Sequence, residues 1–151
     1  RVAAQLELQD MLETTVRSLE EYLAFYRVGI FMVEEGASVL RLAAANKALR
    51  AVVPSGYRPK VGEGTIGEAA ATGETVLAND VLADALARRE GMWSSLASVS
   101  VPIKVGRRVI GVLEVEGVRR GVFSEQDAAA NAKIENHLAG SLSSDRPTHT
   151  M

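Results

Sequence analysis

Three glycines, Gly62, Gly64 and Gly67, stand at G-x-G-x-x-G spacing inside the stretch 60–81. Such spacing can form a turn whose backbone N–H groups cradle a dinucleotide pyrophosphate at a helix N-terminus. It can equally form a tight entrance into a short helix with no phosphate near it. The first case makes an oxidoreductase and the second something quite different. The flanking chain has to decide between them.

Little else in the sequence offers chemistry. There are no cysteines, which removes disulfides, thiolate nucleophiles, Cys-based zinc sites and thioether attachment of a chromophore. The two histidines, His137 and His149, are too few and too far apart for a multi-histidine metal site. No nucleophile–base set is visible, and Glu63 and Glu68 beside the glycines read as loop and helix-cap residues. The densest basic cluster, Arg107-Arg108 followed by Arg119-Arg120, is too sparse for a nucleic-acid footprint in a chain of net charge −2. No apolar run approaches the roughly 18 residues of a membrane span. At 151 residues the chain fits one domain. It opens on Arg1 rather than Met, as expected of a fragment cut from a longer protein.

The elements that must position any site follow from periodicity. Over 2–26, Leu8, Leu12, Val16, Leu19 and Leu23 form a helical stripe, with Glu13 and Arg17 on the other face at ion-pair spacing. Residues 27–34 and 38–45 are apolar runs around a Gly36-containing turn, an antiparallel hairpin. The stretch 46–61 carries Pro54, Gly56 and Pro59 and reads as a loop, with a short helical piece near Lys47–Val52. Thr65 and Glu68 have capping-box spacing at the start of a two-turn helix that Gly73 ends. A brief strand over Thr75–Ala78, a turn at Asn79-Asp80 and a short helix over 82–93 come next. Val99, Val101 and Ile103 alternate with Ser98 and Ser100 in one strand, and Gly106-Arg107 turns the chain into a second over 109–116. Pro102 lacks an N–H, so its strand must hold it at an edge or a bulge. Ser124 caps a last helix striped by Ala130, Ile134, Leu138 and Leu142, and 143–151 is a polar tail or linker.

Hairpins dominate this order, which predicts an α+β domain with an antiparallel sheet. A dinucleotide fold would need a buried strand immediately before the glycines and a long crossover helix after them. The residues before them include Pro54, Gly56 and Pro59, and the helix is about half the required length. The glycines therefore read as a steric device rather than a phosphate loop.

The ordered segments resemble a GAF domain, a sensory module of signalling proteins. The resemblance rests on 61–69, Thr72–Val76, Asn79–Val81, Val101–Ile103, Val109–Val115 and Phe123–Asp127, and the end helices extend it to about 4–142. It implies a single domain over 1–142 with a GAF-like, PAS-related antiparallel sheet of about five to six strands. Terminal helices lie on one face, and short helices and loops cover a pocket on the other. Most members are not enzymes, and a non-enzymatic role is the expectation. Members that reduce methionine sulfoxide need cysteines, and bilin-binding members use one for attachment, so both roles are set aside. Cyclic-nucleotide members carry an Asn-Lys pair and Phe-x-x-x-Asp-Glu. Phe123 and Asp127 match, but Glu116-Gly117 stand near the Asn-Lys place and Ala128 replaces the final Glu. Haem would need an axial ligand, and His137 reads instead as a flank-of-core or interface residue. No cofactor is named.

The candidate ligand-binding residues are Tyr57, Ile66, Asn79, Asp80, Trp93, Ser98 and Ser100. Each has a structural reading as well: Asp80 can fix its own turn by an Asx bond, Trp93 can be core, and the serines can face water. The expected function is a cytoplasmic sensory domain of a bacterial-type signalling protein. It binds an unidentified small molecule and signals through its terminal helices to an output domain, as a homodimer. Two alternatives are a ligand-free dimerisation module, built from the Leu8–Leu23 and Ile134–Leu142 stripes, and a cyclic-nucleotide-binding regulatory domain.

Overall fold

The leucine–valine stripe of the first helix is what fixes it to the domain. In a computed structural model, which describes residues 2–22, 27–78 and 97–117, α1 runs Val2–Tyr22. Leu12, Val16 and Leu19 are buried in the main core, Leu8 and Met11 lie partly buried beside it, and Leu6 is left 63% exposed. The expected Glu13–Arg17 ion pair does not form. Arg17 donates instead to Thr14 Oγ1 at 3.2 Å, and Glu13 accepts from Gln9 Nε2 at 2.9 Å. Exposed pairs at this spacing are worth only a few tenths of a kcal/mol, so a competing hydroxyl or amide can take their place.

The remaining elements are β1 (Arg27–Glu34), β2 (Val39–Ala45), α2 (Lys47–Arg50), α3 (Gly64–Thr72), β3 (Val76–Ala78), β4 (Ala97–Val105) and β5 (Arg108–Gly117). They make one five-stranded antiparallel sheet of order β2-β1-β5-β4-β3, so the fold is α+β as its hairpin pattern predicts. Val28, Ile30, Val99, Val101, Ile103, Leu113 and Val115 point to the α1 face. Phe31, Leu40 and Val112 point the other way and meet Ile66 and Ala69 of α3. Alternate residues of each strand therefore belong to two separate apolar layers. Pro102 sits two residues past the end of β3, where β4 has become an edge strand.

Two bulges adjust the sheet. In β2, Ala43 is the extra residue between the Ile30–Ala44 and Phe31–Leu42 pairs, and its carbonyl accepts from Gln9 Nε2 of α1 at 2.7 Å. In β5, Ile110 is the extra residue between the Lys104–Val109 and Ile103–Gly111 pairs.

The glycine stretch is steric, with one correction. Gly62 and Gly64 take φ of +94° and +68°, which disfavour any side chain. Gly67 is excluded from bearing one for another reason: a Cβ there would collide with the Lys60 carbonyl oxygen. The Gly62 N–H is committed to the Gly67 carbonyl and the Glu63 N–H to that of Lys60. These donors are spent inside the turn rather than offered to a phosphate. The expected Thr65–Glu68 capping box is not formed, because the left-handed Gly64 already starts the helix. Glu63 occupies the cap position without a side-chain bond, and Thr65 is buried within the first turn. Gly73 closes α3 in the left-handed conformation, donating to the Ala69 carbonyl. The anticipated helices over 82–93 and from Ser124 lie outside the described residues, as do the turn at Asn79-Asp80 and the tail from 143.

Candidate functional site: a buried polar floor on the α3 face

The face that α3 covers is not apolar throughout. Ser98 lies opposite Glu116 across β4 and β5, and Ser100 lies opposite Glu114. Directly opposed residues of an antiparallel pair share a face, and here it is the face of Val112 and Phe31 rather than that of Val99 and Leu113. Ser100 is fully buried, Ser98 is 3% exposed and both glutamates are 2% exposed. The Ser100 hydroxyl meets Glu114 Oε1 at 2.5 Å, a charge-assisted length if the serine donates to a carboxylate.

On the far side of β5, Arg27 pairs with Glu116 and Gly29 with Glu114. Arg27 Nη1 lies 3.9 Å from Glu116 Oε1, close enough for charge attraction and too long for a hydrogen bond. Gly29 brings no side chain, and the space a Cβ would need is filled by the Leu49 methyl. The polar patch therefore has a defined outline. Ser98, Glu116 and Arg27 form one row, Ser100 and Glu114 the next, and Pro102, Val112 and Phe31 close it with apolar surface.

The course of α3 brings its first turn to this patch. Gly73 at its C-terminus lies against Lys104 and Val109 at the β4–β5 turn, and Ile66 packs with Phe31 and Val112. The helix thus runs from the glutamate end of the sheet toward the turn, and its first residues, Gly64, Thr65 and Ile66, are all buried.

Of the residues anticipated from sequence, Ser98 and Ser100 lie together on this floor and are covered rather than facing water. Ile66 is at its border, as an apolar contact of Phe31 and Val112. Tyr57 lies toward β2, its ring edge-on to Phe31 at 6.2 Å between centroids. It also lines an open hollow of about 330 Å³ with Leu42, Arg50, Val53 and Pro54, on the β2 side of Phe31. Asn79, Asp80 and Trp93 lie outside the described residues. Among the described residues no group of three or more His, Cys, Asp or Glu could hold a metal ion.

Glu114 and Glu116 are the residues that sequence reasoning missed. Their signal was present: two acids alternate with Leu113 and Val115 in an otherwise apolar strand. The alternation puts both on one face, but only the strand register shows that this face is the buried one holding the two serines.

A five-stranded antiparallel sheet with α1 on one face and a short glycine-entered helix on the other defines an α+β domain. The family model for the GAF domain matches residues 5–140, and the chain belongs to that family. No curated protein matches it in sequence. Among solved structures, it is similar to free methionine-R-sulfoxide reductase from Neisseria meningitidis, solved in complex with its substrate. That match has 27% identity and a TM-score of 0.74 over 86% of this chain and 74% of the other. The type II reductase of the same name from Thermoplasma acidophilum matches at 19% identity and TM-score 0.73, covering 91% and 92% of the two chains. The GAF domain of a phosphoenolpyruvate-protein phosphotransferase from Coxiella burnetii matches at 20% identity and TM-score 0.74, covering 95% and 87%.

The reductases correct one expectation. A non-enzymatic role is expected from sequence because most members of the family are not enzymes, yet enzymes stand among the structures this chain resembles, one of them at 27% identity. Family membership therefore gives no ground for excluding catalysis. Any chemistry of this chain's own would use groups other than a thiol, since it has no cysteine.

Proposed function

We propose that this GAF domain binds a small polar molecule, bearing a cationic or strongly hydrogen-bond-donating group, on the α3 face of its sheet. The observation that carries this reading is the burial of Ser98, Ser100, Glu114 and Glu116 as one patch. Two carboxylates and two hydroxyls gathered at such depth make a polar site within an otherwise apolar layer of Phe31, Leu40, Ile66 and Val112. A few convergent polar groups beside apolar surface is the composition expected of a ligand site.

The same strands offer a route for the signal. Ser100 and Glu114 alternate along β4 and β5 with Val99, Val101, Leu113 and Val115, which belong to the core layer containing Leu12, Val16 and Leu19 of α1. A ligand that shifts the polar face moves the backbone on which α1 rests, and α1 passes that movement to an output domain. Leu6, exposed on α1, supports pairing of two copies along this helix.

Thermal-shift titration of the purified domain against amines, amino acids, nucleotides and small organic acids tests the reading. A cationic compound raises the melting temperature of the wild type and has no effect on Glu114→Gln/Glu116→Gln. Failure of every amine-bearing compound to stabilise the wild type would sink it.

A second reading is favoured by the 2.5 Å contact of Ser100 with Glu114. A carboxylate accepting from a serine hydroxyl can act as its general base, the arrangement of an activated oxygen nucleophile. Mass spectrometry of each stabilising compound after incubation with the protein separates a site that holds its ligand from one that transforms it.

A further inference from the structure

The hollow on the β2 side of Phe31 is lined by none of the serines and glutamates of the polar patch. It measures about 330 Å³ between Leu42 of β2 and the loop 53–58 that follows α2. Small-molecule sites begin at about this size, roughly 300 Å³. Leu42, Val53, Pro54 and the Tyr57 ring give it apolar walls, and Arg50 and Arg58 supply its charges. The loop is held in shape by the Tyr57 N–H, which donates to the Pro54 carbonyl at 3.1 Å, and by the edge-on contact of Tyr57 with the buried Phe31. The two arginines differ. Arg58 Nε holds Glu34 Oε1 at 2.8 Å, so its charge is matched. Arg50 is exposed, and its guanidinium makes no hydrogen bond or ion pair among the described residues, although Glu13 and Glu20 border a neighbouring hollow that it also lines. One unmatched positive charge therefore stands beside apolar surface.

We propose that this hollow is a second binding site, for a small organic monocarboxylate with an apolar chain or ring. The carboxylate pairs with Arg50, whose planar fork matches its two oxygens. The apolar body covers Leu42, Val53, Pro54 and Tyr57. An inorganic anion leaves those walls wet, and a neutral apolar compound leaves the guanidinium without a partner. A dianion brings one charge more than Arg50 can match. The assignment gives a ligand contact to Tyr57, which the serine–glutamate patch leaves unused. It is independent of the cationic site proposed above, because different residues line it and they select the opposite charge.

The test is a nuclear magnetic resonance titration of the domain with benzoate and isovalerate. Benzyl alcohol and isoamyl alcohol serve as their uncharged counterparts, and acetate and inorganic phosphate as bare anions. Benzoate or isovalerate shifts the amides of Leu42 and of the loop 53–58 saturably. It binds about tenfold or more tightly than its alcohol and than acetate, the size expected of one charge-assisted bond or of one buried apolar group. In Arg50→Gln the carboxylate weakens about tenfold, while the alcohol keeps its affinity and the melting temperature stays where it was. Arg50→Lys, which keeps the charge and loses the planar fork, restores part of the difference. Equal binding of carboxylate and alcohol by the wild type overturns the charge assignment. Equal binding of benzoate, acetate and phosphate reduces Arg50 to an ordinary surface cation and overturns the site. Unchanged carboxylate affinity in Arg50→Gln, or no saturable shift in this loop with any compound, overturns it as well. None of these outcomes bears on the binding of amines under α3, which the thermal-shift titration decides separately.

Discussion

Ser100 and Glu114 face each other across the two central strands of the α3 face, hydroxyl to carboxylate at 2.5 Å, with both side chains out of water. A contact this short between a neutral hydroxyl and an acid is stabilising only while both partners are present. Ser100→Ala leaves the acid short of one donor at a depth where water does not replace it. It is expected to lose about 1–3 kcal/mol of stability by urea denaturation. The double variant Ser100→Ala/Glu114→Gln should recover part of that loss, because the neutral amide asks less of its surroundings. Additive losses from the two single changes would show that the residues are neighbours without being coupled.

Gly67 and Gly64 are both required, for separate reasons that mutation can distinguish. Gly64→Ala places a side chain at φ +68° and should cost about 1–2 kcal/mol. Gly67→Ala drives a methyl group into the Lys60 carbonyl, which belongs to backbone held by the turn, and should cost about 3 kcal/mol or more. Nicotinamide dinucleotide should leave the melting temperature of the wild type unchanged, since the Gly62 and Glu63 N–H groups are already bonded within the turn. A loss below about 1 kcal/mol for Gly67→Ala would contradict the steric role.

Asn46 is a small polar pivot between the sheet and α2. Its Oδ1 accepts from the Val28 N–H at 3.1 Å and from the Leu49 N–H at 3.0 Å, so one atom anchors the end of β1 and caps the helix. Asn46→Ala leaves two buried donors wanting and should destabilise by about 2–4 kcal/mol. Asn46→Asp retains the acceptor and should lose less. Chemical denaturation of the two variants side by side checks the ranking.

Along α1, two leucines have opposite roles. Leu12→Ala opens a cavity in the main core and should cost about 2–5 kcal/mol. Leu6→Ala removes an exposed side chain and should change monomer stability by less than about 0.5 kcal/mol. If α1 pairs with a second copy, Leu6→Glu lowers the sedimentation coefficient at micromolar concentration and leaves the thermal unfolding of the monomer as it was. A wild-type chain that sediments as a monomer throughout would remove the dimer from the proposal.

Much of the fold was legible because it rests on local pattern. The 3.6-residue stripe of α1, the glycine-bounded hairpin of β1 and β2, the Gly73 stop and the placement of Pro102 at an edge all follow from side-chain direction and backbone freedom within a few residues. Thr65 misleads for the same local reason. T-x-x-E spacing marks a cap only where Thr65 itself begins the helix, and the left-handed Gly64 begins it one residue earlier. The candidate site was half legible: the serines show by their alternation with valine, whereas the alternation of Glu114 and Glu116 with Leu113 and Val115 could not say by itself that their face is the buried one.

By itself, the sequence determined an antiparallel α+β domain of GAF type, with glycines that shape a turn instead of holding a phosphate. The tertiary structure decided what Ser98 and Ser100 face. Counting back from the Val105–Arg108 pair at the two-residue turn would set Ser100 opposite Leu113, mixing polar and apolar residues on each face. The extra residue at Ile110 shifts the register by one, so that Val99 meets Val115 in the α1 layer and Ser100 meets Glu114 on the opposite face, the one that carries Val112. Turn chemistry is local, but a strand register is chosen by the two layers that must be filled at once, and a bulge is how the chain reconciles them. The G-x-G-x-x-G signature thus enters a helix whose first turn reaches a buried patch of glutamate and serine, and that patch took shape only when the strands were in place.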